Sequence, residues 1–356
     1  MKGSGIPRVL VWAILVLVPL RCGLTIESAF GAREVPEIPE GGAEVEKISE
    51  IDGTGLTLER VLLYPQARDG SDDRLVRRGL LYRHKNAKAT ILMTHGFMCS
   101  KEDVCFLRHL FGGDMFNVMT FDFRAHGQYV HEQCCTFGKE EAHDVIAAAE
   151  FLKNHPDLRN KPIFAYGFSM GSAALIEAQA KHGGLFDAMV LDCPFDSSET
   201  IVRTSLGKLT LSLMGYEIPF PGRSLLQRYA FEPRVQALIV GALKAVKHIE
   251  PKVVPLRIES FAPAESIKQV SVPCFLIHCK NDEKVPVDAA YNIFNNAGAA
   301  YKKLWVTNGR RHYDSLFYNP DRYIQEVRNF FNVVMSKRVP PEGEAVVIED
   351  PDEDEA

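Results

Sequence analysis

Gly167-Phe168-Ser169-Met170-Gly171 sets one serine between two glycines, where the apolar run PIFAYGF gives way to an alanine-rich stretch ending at His182. A strand that turns at once into a helix holds the turning residue in a strained backbone, and flanking glycines let neighbouring chain pass without Cβ clashes. The serine is then expected to project into solvent, where its hydroxyl can attack an acyl carbon. Alone it is a poor nucleophile: a base must take its proton, and a carboxylate must fix the tautomer of that base and stabilise its charge. Asp282 and His312 supply these groups, each just beyond a later apolar run, in the order Ser, Asp, His. Asp192 and Asp196, after the run that precedes Asp282, are the alternative acids. The oxyanion that attack creates needs backbone N–H donors, and the Met170 and Phe97 amides are placed for it, at a helix N-terminus and after His95-Gly96.

Gly-x-Ser-x-Gly by itself is a weak signal, since glycine near 7% of residues produces it by accident in about one chain of this length in ten. The surrounding elements decide. Six short apolar runs, at 89–95, 116–122, 162–168, 188–192, 273–279 and 302–307, read as strands buried on both faces. Between them, 139–155 carries Val145, Ala148, Ala149 and Leu152 at helical spacing, and 171–182 is built of good helix formers. Two earlier runs, TLERVLLYP and LVRRGLLYR, predict an antiparallel pair leading into the sheet. Strands alternating with helices call for a mostly parallel, doubly wound α/β sheet, whose ligands bind beyond the carboxyl ends of the strands. His95, Asp122, His126, Ser169, Asp192, Asp282 and His312 all follow strand ends.

At these residues the chain resembles the α/β-hydrolase family, in its serine aminopeptidase-like branch. Members of that branch share a His-Gly-Phe oxyanion loop, an Asp-x-Arg-x-His-Gly segment (here Asp122 to Gly127), the nucleophile elbow and a late Asp and His. The resemblance spans roughly 57–334. It implies an α/β-hydrolase fold and a serine hydrolase with Ser169 as nucleophile, His312 as base and Asp282 as acid. The segment from Phe195 to Val270 is, by the same analogy, a helical cap inserted after the strand ending at Asp192. Gln128-Tyr129 departs from relatives that carry a small polar residue there.

Competing groups receive plainer readings. His278 lies inside an apolar run and is expected in the core, while His95 and His126 suit loop building beside their glycines. Arg124 is read as an ion pair pinning its loop rather than as a carboxylate receptor. The cap residues Leu211, Leu213, Met214, Phe220, Leu225, Leu226, Leu238, Ile239 and Val240 could line an acyl pocket or simply pack on the main domain; spacing does not separate the two. Eight cysteines include no Cys-x-x-Cys pair, and His-Glu-x-x-His is absent, so no zinc site is expected. Cys193, Cys274 and Cys279 read as buried thiols.

The net charge of −5 is concentrated at the end of the chain: 339–356 holds eight carboxylates and no Lys or Arg, leaving the remainder at +3. No basic cluster interleaves with aromatics, so a nucleic-acid partner has no support. Lys2 and Arg8 precede the twelve apolar residues Val9 to Leu20, the layout of a secretory signal. As a helix that run reaches only about 18 Å, short of a bilayer core of about 30 Å. Cys22 raises lipid attachment, and an uncleaved anchor is the other option. The expected organisation is a signal peptide or anchor at 1–22, a linker at 23–50, a hydrolase domain at 51–338 with its cap near 195–270, and a disordered acidic tail at 339–356. The expected protein is exported, periplasmic, secreted or membrane-tethered, with membrane association only through its N-terminus. It cleaves a small-molecule or lipid ester, thioester or related acyl bond without cofactor or metal. A peptidase is the runner-up, and a catalytically silent exported binding protein the rival from another class.

Overall fold

In the computed structural model, the described residues are 43–51, 55–65, 76–109, 114–127, 133–208, 210–213, 216–232, 235, 256–339 and 343–351. The apolar runs form one ten-stranded sheet. Its strands are β1 (Ala43–Ile51), β2 (Leu56–Leu63), β3 (Arg77–His84), β4 (Ala89–Thr94), β5 (Phe116–Phe121), β6 (Ile163–Phe168), β7 (Ala188–Asp192), β10 (Cys274–Cys279), β11 (Tyr301–Thr307) and β12 (Glu344–Glu349). They lie in the order β1-β2-β3-β5-β4-β6-β7-β10-β11-β12. The β1, β2, β3 and β5 pairings are antiparallel, as predicted for β2 and β3, and every pairing from β5 through β4 to β12 is parallel. Continuous apolar runs suit such a sheet because both faces are covered: every residue of β4, β5, β6, β7 and β10 is buried.

The two-residue period of a strand splits these side chains between two cores. Leu92, Ala165, Met189, Leu191 and Leu276 face one side, where α2 (Glu141–Asn154), α3 (Met170–His182) and α7 (Val287–Asn296) pack. Ile91, Met93, Phe164, Tyr166, Val190 and Phe275 face the other, against α1 (Lys101–Cys105) and α9 (Pro320–Met335). Helix α9 begins with Asn319 accepting from the Arg322 amide (3.2 Å) and Pro320 in its first turn, and buries Tyr323, Val327, Phe330 and Phe331 along one stripe. Two short helices complete this part of the chain, α6 (Pro263–Ser266) and α8 (Ser315–Tyr318). Chain order reverses at β4: the path leaves it toward β5 and returns on its other side as β6. The loops after β4 and β6 therefore open a crevice at the carboxyl rim, the position where this sheet architecture binds ligands.

Three expectations change. The tail does not remain unstructured throughout, because Glu344–Glu349 pairs parallel to β11 as the edge strand β12. Counting carboxylates hid the β-branched run Val346-Val347-Ile348; beyond it, Asp350 accepts from the Trp305 indole N–H (2.9 Å) and pairs with Arg322 (2.5 Å). The expected linker already contains β1 from Ala43 onward, antiparallel to β2. The insertion after β7 is not wholly helical: besides α4 (Ser198–Gly207) and α5 (Arg223–Tyr229) it contains the hairpin of β8 (Thr210–Leu213) and β9 (Tyr216–Pro219). Of its apolar residues, Leu226 packs with Val202, Leu206 and Ala230, whereas Leu225 is 64% exposed. Met214, Leu238, Ile239, Val240, Gln128, Tyr129 and the 1–22 segment with Cys22 lie outside the described residues, as do the side chains of Leu211 and Leu213. Among the described residues no helix is long and apolar enough to cross a membrane.

Candidate active site

Ser169 occupies the turn between β6 and α3 with φ 47° and ψ −110°, a conformation costly for any residue with a Cβ. The surrounding bonds over-determine it. Its amide donates to Asp192 O (2.8 Å) and its carbonyl accepts from the Ala173 amide (3.0 Å), while the Ser172 hydroxyl donates to Gly167 O (2.7 Å). The flanking glycines are required by contact: a Cβ on Gly171 would stand 2.7 Å from His95 O, and one on Gly167 would stand 2.8 Å from the Ser172 amide nitrogen. Ser169 does not project into solvent as expected, since it is only 9% exposed. A neighbour missed in the sequence, Tyr313, brings its hydroxyl up to that of Ser169.

Asp282 follows β10 and His312 follows β11, adjacent parallel strands, so their loops meet at the same rim. The Asp282 Oδ2 to His312 Nδ1 distance is 2.5 Å. The other carboxylate oxygen, Oδ1, accepts from the Lys284 and Val285 amides (2.8 and 3.0 Å), which fixes the group's rotation. Burial pushes the Asp282 carboxyl up, but the hydrogen bond and charge of His312 outweigh it and hold the group below its ordinary range, as an anion. The alternative acids are engaged elsewhere: Asp192 accepts from the Tyr323 hydroxyl (2.6 Å) and Asp196 from the Asn292 amide (3.0 Å). His278 is fully buried, and its Nε2 bonds Val285 O (3.0 Å), in keeping with a core role.

Phe97 and Met170 stand at the two edges of the crevice, after β4 and at the first position of α3. The loop bearing Phe97 is clasped by two neutral histidines. His95 Nε2 accepts from the Phe123 amide (3.1 Å) while its Nδ1 donates to Gly96 O (2.8 Å). His126 Nε2 accepts from the Met98 amide (3.1 Å), and its Nδ1 donates to Arg124 O (2.8 Å). Burial lowers the pKa of both rings, and their closeness to each other lowers that of His95 further, which suits the acceptor role of each Nε2. The rest of the Asp-x-Arg-x-His-Gly segment is likewise structural. Asp122 pairs with Lys101 (2.6 Å), and Arg124 makes two bonds to the fully buried Asp144 (3.0 and 3.2 Å), so Arg124 pins its loop. Against its own burial, Asp144 is held at about 2 by Arg124 and Arg77.

Cys193 follows Asp192 with φ 48°, and its thiol, the Asp282 carboxylate and a His312 ring nitrogen lie within 4.8 Å of one another. Among the described residues this is the one grouping of ligand-type side chains close enough to share a metal ion. Its Asp and His are already bonded to each other.

Asp192, beneath this cluster, yields a pH-dependent prediction. Burial pushes its carboxyl up to about 7, against the pull of the Tyr323 and Cys193 hydrogen bonds. The folded protein thus holds a proton that the unfolded chain, titrating near about 3.9, has released. Stability from this group is full in acid, falls as pH rises through about 7, and stays lost above. Asparagine imitates the protonated acid and can still accept from Tyr323. Asp192→Asn is expected to raise the thermal midpoint at pH 8 by several degrees, corresponding to a few kcal/mol, and to keep only a minor part of that advantage at pH 5. Parallel thermal melts at the two pH values check it.

The serine aminopeptidase, S33, family model matches residues 85–315, a span that contains all five residues singled out for the site. An uncharacterized protein of Bacillus subtilis, YqkD, is 25% identical over 244 residues, covering 68% of this chain and 71% of its own length. Among solved structures, the esterase Pf2001 of Pyrococcus furiosus superposes with a TM-score of 0.55 at 20% identity, over 77% of this chain and 92% of that one. The acetyl xylan esterase of Paenibacillus sp. R4 does so with a TM-score of 0.54 at 12% identity, over 80% and 88%. At such identities the likeness is one of fold. The family match, running over well more than half of the chain and through both halves of the crevice, is stronger: this protein belongs to the serine aminopeptidase S33 family of α/β hydrolases.

Proposed function

We propose that the protein is a serine hydrolase that cleaves a carboxylic ester, thioester or related acyl bond through an acyl-enzyme. Ser169 is the nucleophile, His312 the general base and then acid, Asp282 the group that orients His312, and the Phe97 and Met170 amides the oxyanion donors. The observation that carries this reading is the 2.5 Å contact between Asp282 and His312, on the loop whose next residue, Tyr313, brings its hydroxyl up to that of Ser169. Ser169 Oγ attacks the acyl carbon as its proton passes to His312, and His312 returns that proton to the leaving group. Water then repeats the sequence on the acyl-enzyme.

One observation favours an ester over an aminopeptide. The solved neighbours named above are esterases.

The test combines fluorophosphonate labelling with a substrate panel. The expected result is a single phosphonate adduct on Ser169, with turnover of short-chain p-nitrophenyl esters well above that of aminoacyl anilides. Anilide turnover without ester turnover establishes the peptidase instead. A protein that neither labels nor turns over any substrate is the silent binding fold.

A further inference from the structure

Tyr313 is a bulky residue held at φ 68°, beside His312 in the chain. Its ring packs edge-on against Phe168 (centroids 5.5 Å apart, 72°) and lies 4.1 Å from the His312 ring. The phenol oxygen reaches the rim at a defined point. It approaches the Ser169 hydroxyl, and it meets Gly96 so closely that any Cβ there would overlap it. Gly96 immediately precedes Phe97, and Ser169 immediately precedes Met170. The phenol therefore stands between the two residues whose successors carry the oxyanion amides. A positive φ in an aromatic residue persists only where the surroundings enforce it, and such strain gathers at working sites. Packing alone does not call for a hydroxyl at this spot, because a phenylalanine ring would fill the same contacts with Phe168 and His312.

We infer that Tyr313 is a further catalytic residue, whose O–H is a third donor to the substrate oxyanion. The inference rests on the serine-hydrolase reading above. In the free enzyme the phenol oxygen lies beside the Ser169 hydroxyl. When the acyl group enters, Ser169 Oγ forms its bond to the carbonyl carbon, the π pair moves onto the carbonyl oxygen, and the serine proton goes to His312. The phenol O–H donates to that new anion, beside the amides of Phe97 and Met170. Tyr313 keeps its proton throughout. Burial, which pushes the phenol's pKa well above its ordinary value, favours that protonated form. When the intermediate collapses, the pair returns to the carbonyl, the leaving group departs with the proton from His312, and the phenol O–H is released.

Tyr313→Phe keeps the ring and removes the donor. With a p-nitrophenyl ester its kcat is expected to fall about 100-fold, the usual consequence of losing one oxyanion donor, with KM changed less than about twofold. A matched thionoester separates donation from packing, because its sulfur accepts hydrogen bonds poorly, so the penalty should largely vanish there. Tyr313→Asn is the second variant: asparagine tolerates positive φ and cannot reach the oxyanion, so it should lose kcat to a similar extent, with a lower thermal midpoint from the lost packing against Phe168 and His312. If either variant keeps wild-type kcat, or hydrolyses faster, while wild-type Ser169 labels normally, Tyr313 is packing or a plug and the inference falls alone. If the wild type fails to label at Ser169, the inference falls together with the serine-hydrolase reading.

Discussion

Alanine at position 169 is expected to lower kcat on p-nitrophenyl esters by about a million-fold, the loss seen when the nucleophile of such a site is removed, equivalent to about 8 kcal/mol of transition-state stabilisation. Fluorophosphonate labelling should disappear with it. The protein should remain folded, because Ser169 holds its strained φ of 47° through backbone bonds to Asp192 and Ala173 that alanine preserves. What is lost is the hydroxyl and its approach to Tyr313. The thermal midpoint should therefore move by no more than about 4 °C. Retained labelling in Ser169→Ala would place the nucleophile on another residue and undo the assignment of the elbow.

The second large effect concerns Asp282. Asparagine there can keep its carbonyl oxygen on the Lys284 and Val285 amides, so the loop has no reason to move. It then turns an NH2 toward His312 Nδ1, where the carboxylate had been an acceptor at 2.5 Å. The imidazole must answer by accepting at Nδ1 and placing its proton on Nε2, the nitrogen that should receive the proton of Ser169. A loss in kcat on the order of 10⁴ is expected from the wrong tautomer alone, with little change in stability. Steady-state kinetics beside thermal melts check both halves. If Asp282→Asn works at nearly the wild-type rate while Asp192→Asn or Asp196→Asn does not, the acid belongs to the loop after β7.

The two positions differ in how they could be read. Ser169 is legible because an elbow is a local object: strand, turn and helix are contiguous, and the glycines at 167 and 171 are needed by contacts with residues that the same turn and the adjoining strand end bring close. Asp282 and His312 are legible only as residues following strands, since nothing within either loop marks the other as its partner. Asp192 and Asp196 satisfied the same rule, and the choice among them depended on which strand ends are neighbours. β10 lies between β7 and β11, so its loop reaches that of β11 directly. The strand at Glu344–Glu349 was concealed for a different reason. Its edge position leaves four of its six residues exposed, so charged residues around a short β-branched run suited either a solvated tail or a paired strand.

Tyr313 shows where sequence stops informing. In Arg311-His312-Tyr313-Asp314 it is one aromatic beside one histidine, with no period or spacing that aims its hydroxyl at Gly96, more than two hundred residues earlier. The amino-acid sequence alone determined the buried parallel strands, their alternation with helices, the elbow and the chemical types waiting at the rim, because hydrophobic period and glycine geometry act over a few residues. Tertiary structure alone decided which acid faces His312, that two histidines serve as neutral clasps, and that Ser169 lies beneath a phenol, because each depends on which distant loops share one edge of the sheet.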